Sequence, residues 1–371
     1  METGSPRRKA GRGTDFLRLG AIDMLDFFKR QTEFLFSGYF AVVMATGALS
    51  ISAHLLGFRK TALFLLGINI ITYTLLWILT GFRLVFHPGR FFKDLGNHAS
   101  GAGFFTLVAG TGVFGSELVI IAGGTAVSAW LYGLASVLWV LIMYAFFTAV
   151  IIREDKPGLA AGINGSWLIA AVATQSLSVL GVLLAGEGAG ARLLMFASLC
   201  LFLLGFGLYV LVIIPIFRRL VFMEFGPRDF APTYWINMGA VAITALAGSL
   251  LITDGEHDDL IVGVLPFLKG LTLLSWVTAT WWIPILVLLT IWRYAVRKDP
   301  LTYDPQFWGT AFPLAMYTAA THQLAGAFGI PALRIIPDVF FPFSLAVWIV
   351  FFLWMNRHLL RVLIKDTGRR R

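Results

Sequence analysis

Residues 163–185 read INGSWLIAAVATQSLSVLGVLLA, and residues 193–217 read LLMFASLCLFLLGFGLYVLVIIPIF. Both are long and apolar enough to cross a bilayer, which takes about 20 residues. They present different surfaces, however. The first carries Asn164, Gly165, Ser166, Thr174, Gln175, Ser176 and Ser178, whereas the second is mostly Leu, Phe, Val and Ile. In lipid, small residues let helices approach closely, and polar side chains are kept off the acyl chains. The first segment therefore belongs inside a bundle and the second on its outside.

The same contrast extends in both directions. Ten apolar segments lie near 37–57, 61–83, 100–121, 126–151, 163–185, 193–217, 232–253, 268–292, 307–327 and 339–360. The third holds Gly101, Gly103, Gly110, Thr111, Gly112 and Gly115, and the seventh Asn237, Gly239, Thr244, Gly248 and Ser249. The eighth is bulky, with Trp276, Trp281, Trp282 and Trp292. The pattern predicts an all-α integral membrane protein of ten transmembrane helices. They form five helical hairpins, with odd helices in an inner ring around a central pore and even helices outside. The alternative is an ordinary bundle in which glycines merely ease packing.

Composition agrees with the class. The chain of 371 residues is 58% hydrophobic and 13% charged, against about a quarter charged in globular chains, and its mean hydropathy is +0.81. The single cysteine, Cys200, excludes a disulfide framework or a Cys-based metal site. The first 30 residues lack the uninterrupted apolar core of a secretory signal. The expected organisation is a cytoplasmic amino terminus over 1–35, one membrane domain over 36–360 and a basic cytoplasmic tail over 361–371. An interfacial helix is expected over 15–33, from Phe16, Leu19, Ile22, Phe27 and Phe28.

Orientation follows from Lys and Arg placement. With both termini cytoplasmic, only five of the 29 basic residues lie outside: Arg59, Lys60, Arg192, Lys269 and Arg334. The net charge of +9 is thereby assigned to topology and to anionic lipid of the inner leaflet, and no nucleic-acid partner is needed. The expected location is the plasma (inner) membrane, with the bilayer itself as a partner.

A path between the odd helices would be nearly free of formal charge. Its only Asp, Glu, Lys or Arg is Glu117, expected near the outer headgroups. A cation path usually needs carboxylate rings or carbonyl cages, and a proton pump needs a relay. A neutral lining suits weakly held anions, favoured by a basic cytoplasmic face. Candidate lining residues are Thr46, Thr111, Thr174, Gln175, Asn237, Thr244, Ala315 and Ala319.

Residues 303–326, YDPQFWGTAFPLAMYTAATHQLAG, supply a candidate gate. Trp308, Phe312, Ala315, Ala319, His322 and Gly326 fall on one helical stripe. Pro313 removes the hydrogen bond to the Gly309 carbonyl and reorients Phe312, and an aromatic ring in a narrow neutral tube makes a hydrophobic plug. The other reading is packing, as for most of the 33 Phe. His322 is a candidate proton or anion contact, or else a histidine bonded to a neighbour. The outer loop DGEHDDL, 254–260, has metal-ligand residue types. It raises one enzymatic alternative, a membrane-embedded metal-dependent lipid-phosphate transferase, against the ordinary reading of a solvated acidic loop. The primary expectation is no enzyme, no cofactor and a small anion as substrate.

FWGTAFPLAMY, at 307–317, resembles the Phe-Pro segment in the ninth helix of the tellurite-resistance/dicarboxylate transporter family. That family includes bacterial tellurite-resistance proteins, yeast malic-acid transporters and plant slow anion channels. SGYFAVVMATGALSI, FHPGRFFKDL, NGSWLIAAVATQSLSVLG and PTYWINMGAVAITALAG add to the resemblance in the same order. It implies a ten-helix protomer, often a trimer with one pore per subunit, and an anion path occluded by a phenylalanine that maps onto Phe312. Ser37 stands where the family often has Pro, and inner-helix prolines are absent from the third and fifth segments. Passive flux and proton-coupled carriage of a dicarboxylate or oxyanion both stay open at this level.

Overall fold

The computed structural model describes residues 29, 31–186 and 189–368. Among them are ten helices of 15 residues or more. These are α1 (Ala41–Leu55), α2 (Arg59–Phe86), α3 (Phe105–Ala122), α4 (Thr125–Ile152) and α5 (Ile169–Leu184), followed by α6 (Ala189–Phe222), α7 (Ile236–Asp254), α8 (Asp259–Ile291), α9 (Trp308–Ala327) and α10 (Ile335–Gly368). A short helix, Pro88–Leu95, joins α2 to α3. Residues 361–368, expected as a tail, continue α10, while 369–371 and most of the expected interfacial helix over 15–33 lie outside the described residues.

With their flanking turns, α2 to α8 and α10 make eight helices long and apolar enough to cross a membrane. The chain is an integral membrane protein built of helices. Two of the ten expected spans do not meet that measure. Helix α1 is apolar but only 15 residues long, and the 20 residues of α9 include three Thr, His322 and Gln323. Both are nonetheless buried along most of their length.

The helices fall into two populations. The apolar windows of α3, α5 and α7 are 78–94% buried, whereas those of α2, α4, α6, α8 and α10 are 22–33% buried. Helices α4 and α6 turn Trp130, Leu141, Leu193 and Leu211 outward, a surface compatible only with lipid. The odd helices are one another's neighbours: α1 packs on α3 and α9, α5 on α3 and α7, and α7 on α9. Missing side chains make these contacts close. A Cβ on Gly112 of α3 would stand 2.6 Å from Ser176 Oγ of α5, and one on Gly239 of α7 would stand 2.7 Å from the Pro313 ring of α9. Dispersion falls steeply with separation, so backbones that meet this way gain contacts a bulkier pair would forfeit.

Each even helix packs on the odd helix before it in the chain, and aromatic polar atoms tie even helices to the next odd one. Trp139 Nε1 of α4 donates to Thr174 Oγ1 of α5 at 2.9 Å, and Trp276 Nε1 of α8 to Thr321 Oγ1 of α9 at 3.0 Å. Trp348 Nε1 of α10 donates to Thr46 Oγ1 of α1 at 3.0 Å, joining the last helix to the first. The Tyr73 hydroxyl of α2 meets Thr111 Oγ1 of α3 at 3.1 Å. Interhelical hydrogen bonds in membranes average about 0.6 kcal/mol, so these contribute modestly in energy and strongly in register.

Candidate permeation site

Helices α3, α5, α7 and α9 all open with a tight 3₁₀ turn: Gly101–Phe104, Gly165–Leu168, Pro232–Trp235 and Pro305–Phe307. Polar residues set two of the turns. Asn164 Oδ1 accepts from Ser166 N at 2.9 Å, and Asp304 Oδ1 accepts from Gln306 N at 2.8 Å. Pro232 and Pro305 sit at first-turn positions, where a missing N–H costs nothing. The turns surround one cavity of about 450 Å³, and Gly38 and Ala41 at the start of α1 complete its wall. Because amino-terminal ends of all five odd helices meet there, those helices run parallel. Their positive dipole ends converge on the same space, an arrangement that favours an anion.

Side chains add to that field. Arg219, near the end of α6, is 7% exposed. It donates to the Ile163 carbonyl at 2.6 Å and the Tyr234 hydroxyl at 2.7 Å, and it pairs with Asp229 at 3.4 Å. Its buried Nε has no hydrogen-bond partner, and neither does the buried Thr233 hydroxyl, although both residues line the cavity. Arg228 also lines it, with its side chain 89% exposed. The inner end is apolar. Met44, Ile169, Ile236 and Phe312, from α1, α5, α7 and α9, close it together with Thr106 of α3. Each of these five is buried, with Phe312 only 1% exposed.

The gate residues expected from the sequence are brought together here. Gly309 and Phe312 line the cavity, and Pro313 lies behind them against Gly239. The missing Cβ of Gly239 is what lets α7 and α9 approach here, whereas a Cβ on Gly309 would meet Thr233 Cα at an ordinary 3.4 Å.

The expected lining residues are distributed differently. Thr46, Thr111 and Thr174 turn their hydroxyls to Trp348, Tyr73 and Trp139, and Gln175 Nε2 donates to the Phe202 carbonyl of α6 at 2.9 Å. These four face the even helices, because hydroxyl and amide groups in lipid serve first to join helices. Thr244 bonds its own helix at Ala240, and the Ala315 carbonyl accepts from Ser52 Oγ of α1 at 2.9 Å. Ala319 is buried. Asn237, one turn beyond Thr233, is fully buried with neither amide atom hydrogen-bonded. His322 is partly buried, and its Nδ1 has no partner.

Glu117 is a correction. Expected near outer headgroups, it is completely buried in α3 and accepts from Asn69 Nδ2 of α2 at 2.6 Å. Its place late in the helix suggested an interface, but α1 and α2 cover it. In the loop 254–260, Asp258 caps α8 by accepting from Leu260 N and Ile261 N. Among the described residues no group of three or more His, Cys, Asp or Glu is placed to hold a metal ion. Sequence reading missed Arg219, which looked like one more positive charge at a helix end. A usable signal was its place directly before the aromatic and acidic run 222–230.

Residues 35–355 match the model of a family described as SLAC1, voltage-dependent anion channel, and the chain belongs to that family. An uncharacterized transporter of Methanocaldococcus jannaschii is 26% identical over 333 residues, covering 86% of this chain and 91% of the relative. A second from the same organism is 24% identical over 348 residues, covering 89% and 92%. An uncharacterized membrane protein of Mycobacterium tuberculosis is 35% identical over 152 residues, 41% of this chain and 77% of that protein. Membrane transport of the anion-channel type is thus the class to which this fold and cavity belong.

Proposed function

We propose that the protein passes small anions, inorganic or of the C4-dicarboxylate kind, along the axis between its odd helices, and that Phe312 occludes the path. In this reading all ten helices cross the membrane as five hairpins, the odd ones forming the inner ring, and both termini are cytoplasmic. The observation that carries it is the cavity. Five parallel helix amino termini and the cationic side chains of Arg219 and Arg228 surround with an anion-favouring field a space lined by a buried aromatic ring. Asp229, the one carboxylate among the described lining residues, is paired with Arg219. The absence of a carboxylate at the floor also favours weak binding, which conduction requires.

The test is current across planar bilayers containing purified protein, wild type beside Phe312→Ala, in chloride, nitrate and malate. The variant is expected to conduct at least about tenfold more, since removing the ring removes the hydrophobic barrier. Equal or lower current from well-folded variant protein would end the gate reading. A second reading, a proton-coupled carrier, is favoured by the buried acid Glu117. It predicts proton movement with the anion and little steady current.

A further inference from the structure

The carboxyl of Glu117 lies in apolar surroundings away from the cavity. Gly47 of α1 faces it so closely that a Cβ there would be 3.2 Å from Oε2 and 2.9 Å from Val113. Asn69 Nδ2 reaches Glu117 Oε2 at 2.6 Å and the Val43 carbonyl at 3.2 Å. The remaining polar atoms of the pair, Glu117 Oε1 and Asn69 Oδ1, are both buried and both without a partner. Each can only accept if the acid is ionised, so two orphan acceptors sit on side chains already joined by one hydrogen bond. A single proton on the carboxyl supplies the donor that this pair of acceptors lacks.

No neighbouring charge offers another solution. Helix α1 brings Gly47 and Ser50, whose hydroxyl donates to the Ala62 carbonyl at 2.9 Å and also lies within reach of the Glu117 carboxyl, a neutral donor too weak to offset the burial of a full charge. On α2 the next polar group is Tyr73, engaged with Thr111. Ser128 of α4 donates to the Gly115 carbonyl, and Ser176 of α5 to the Ala173 carbonyl. Other titratable or charged residues on these helices are His54 on α1, Arg59, Lys60 and Arg83 on α2, and Tyr132 and Tyr144 on α4. Among the described residues no ion pair ends on Glu117. Burying a lone carboxylate costs far more than burying the neutral acid.

We propose that Glu117 is a proton-binding site, its proton shared with Asn69, and that occupancy biases the packing of α1 on α3 and through α1 the gate helix. Release breaks one O–H bond, sends the proton to water and leaves a carboxylate that α1 no longer packs against without rearranging. Ser52 of α1 carries that change to α9, since it holds the Ala315 carbonyl three residues past Phe312. The coupling part rests on the anion reading above, whereas the proton site does not.

Glu117→Gln is the informative variant, because a glutamine accepts from Asn69 Nδ2 and donates to Asn69 Oδ1 permanently. Infrared difference spectra of wild type across a pH titration are expected to show the carbonyl band of a protonated carboxylic acid, missing in the variant. Anion efflux from liposomes, driven by chloride, nitrate or malate gradients, is expected to change several-fold with pH in wild type. In Glu117→Gln it should stay at the wild-type acidic plateau. If wild type shows no such band, the proton site is wrong whatever the flux does. If the band is present but the two pH–flux profiles coincide, the coupling is wrong. If the band is present and neither protein moves any of the three anions, the anion reading and the coupling fall and the proton site stands.

Discussion

At the scale of single residues, glycines divide into those that hold the inner helices together and those that face lipid. A Cβ on Gly165 would sit 2.2 Å from the Thr233 carbonyl oxygen and 2.7 Å from Tyr234 Cα, all backbone atoms that cannot rotate away. One on Gly133 of α4 would meet nothing within 4 Å. Gly165→Ala should therefore lower stability by about 1–3 kcal/mol through overpacking, read as an earlier thermal transition in detergent. Gly133→Ala should be neutral or slightly stabilising, as Ala is the better helix former. The reverse ranking would mean the two turns do not touch. Residue-scale features were only partly legible in the sequence. Phe312 could be singled out by its proline and its small neighbours along one stripe. Thr46, Thr111, Thr174 and Gln175 could not be aimed, because a hydroxyl suits a water-facing wall and a helix seam equally well. Glu117 was misplaced for a related reason: distance from the helix end says nothing about what lies beside it.

Among elements, the contrast between small-residue and bulky helices was readable, because in lipid it is the side facing other helices that must be slim and polar. The neighbours of each helix were not readable, since they depend on which surfaces mate. The Trp and Tyr bonds between an even helix and the next odd one illustrate the point. Replacing Trp139, Trp276 or Trp348 by Phe removes one donor each and leaves a ring that still packs. Each change should cost about 0.5–1.5 kcal/mol. The three should add nearly independently, because they occupy separate seams. Unfolding in mixed micelles would measure this. A triple variant no weaker than wild type would show that packing alone sets the register.

For the molecule as a whole, Cys200 supplies a convenient handle. It is the single cysteine, lies on lipid-facing α6 and is exposed. In a Cys200→Ser background, a cysteine at Lys156 or Lys298 should react with an impermeant thiol reagent only from the cytoplasmic side, and one at Glu256 only from the other. Labelling of all three from one side would refute the proposed topology. The resemblance to a family whose members are often trimers predicts three chains by native mass spectrometry of the purified protein, and a single chain would refute that expectation. The lengths of the two helix sets have a further consequence. Helix α1 has 15 residues and α5 has 16, whereas α6 and α10 have 34 each. At about 1.5 Å per residue α1 and α5 reach only about 24 Å, while α3, α7 and α9, with 18, 19 and 20 residues, reach about 27–30 Å, so the inner set is at or below the hydrocarbon thickness of about 30 Å. One end of the inner set is further hollowed by the cavity above Phe312. In the proposed path, a membrane potential would then drop not across the full bilayer but across the buried stretch of the inner helices beyond the cavity. A monovalent ion crossing that stretch would exchange at most about 2.3 kcal/mol per 100 mV. The rate of crossing would therefore depend on voltage even though no charged helix moves.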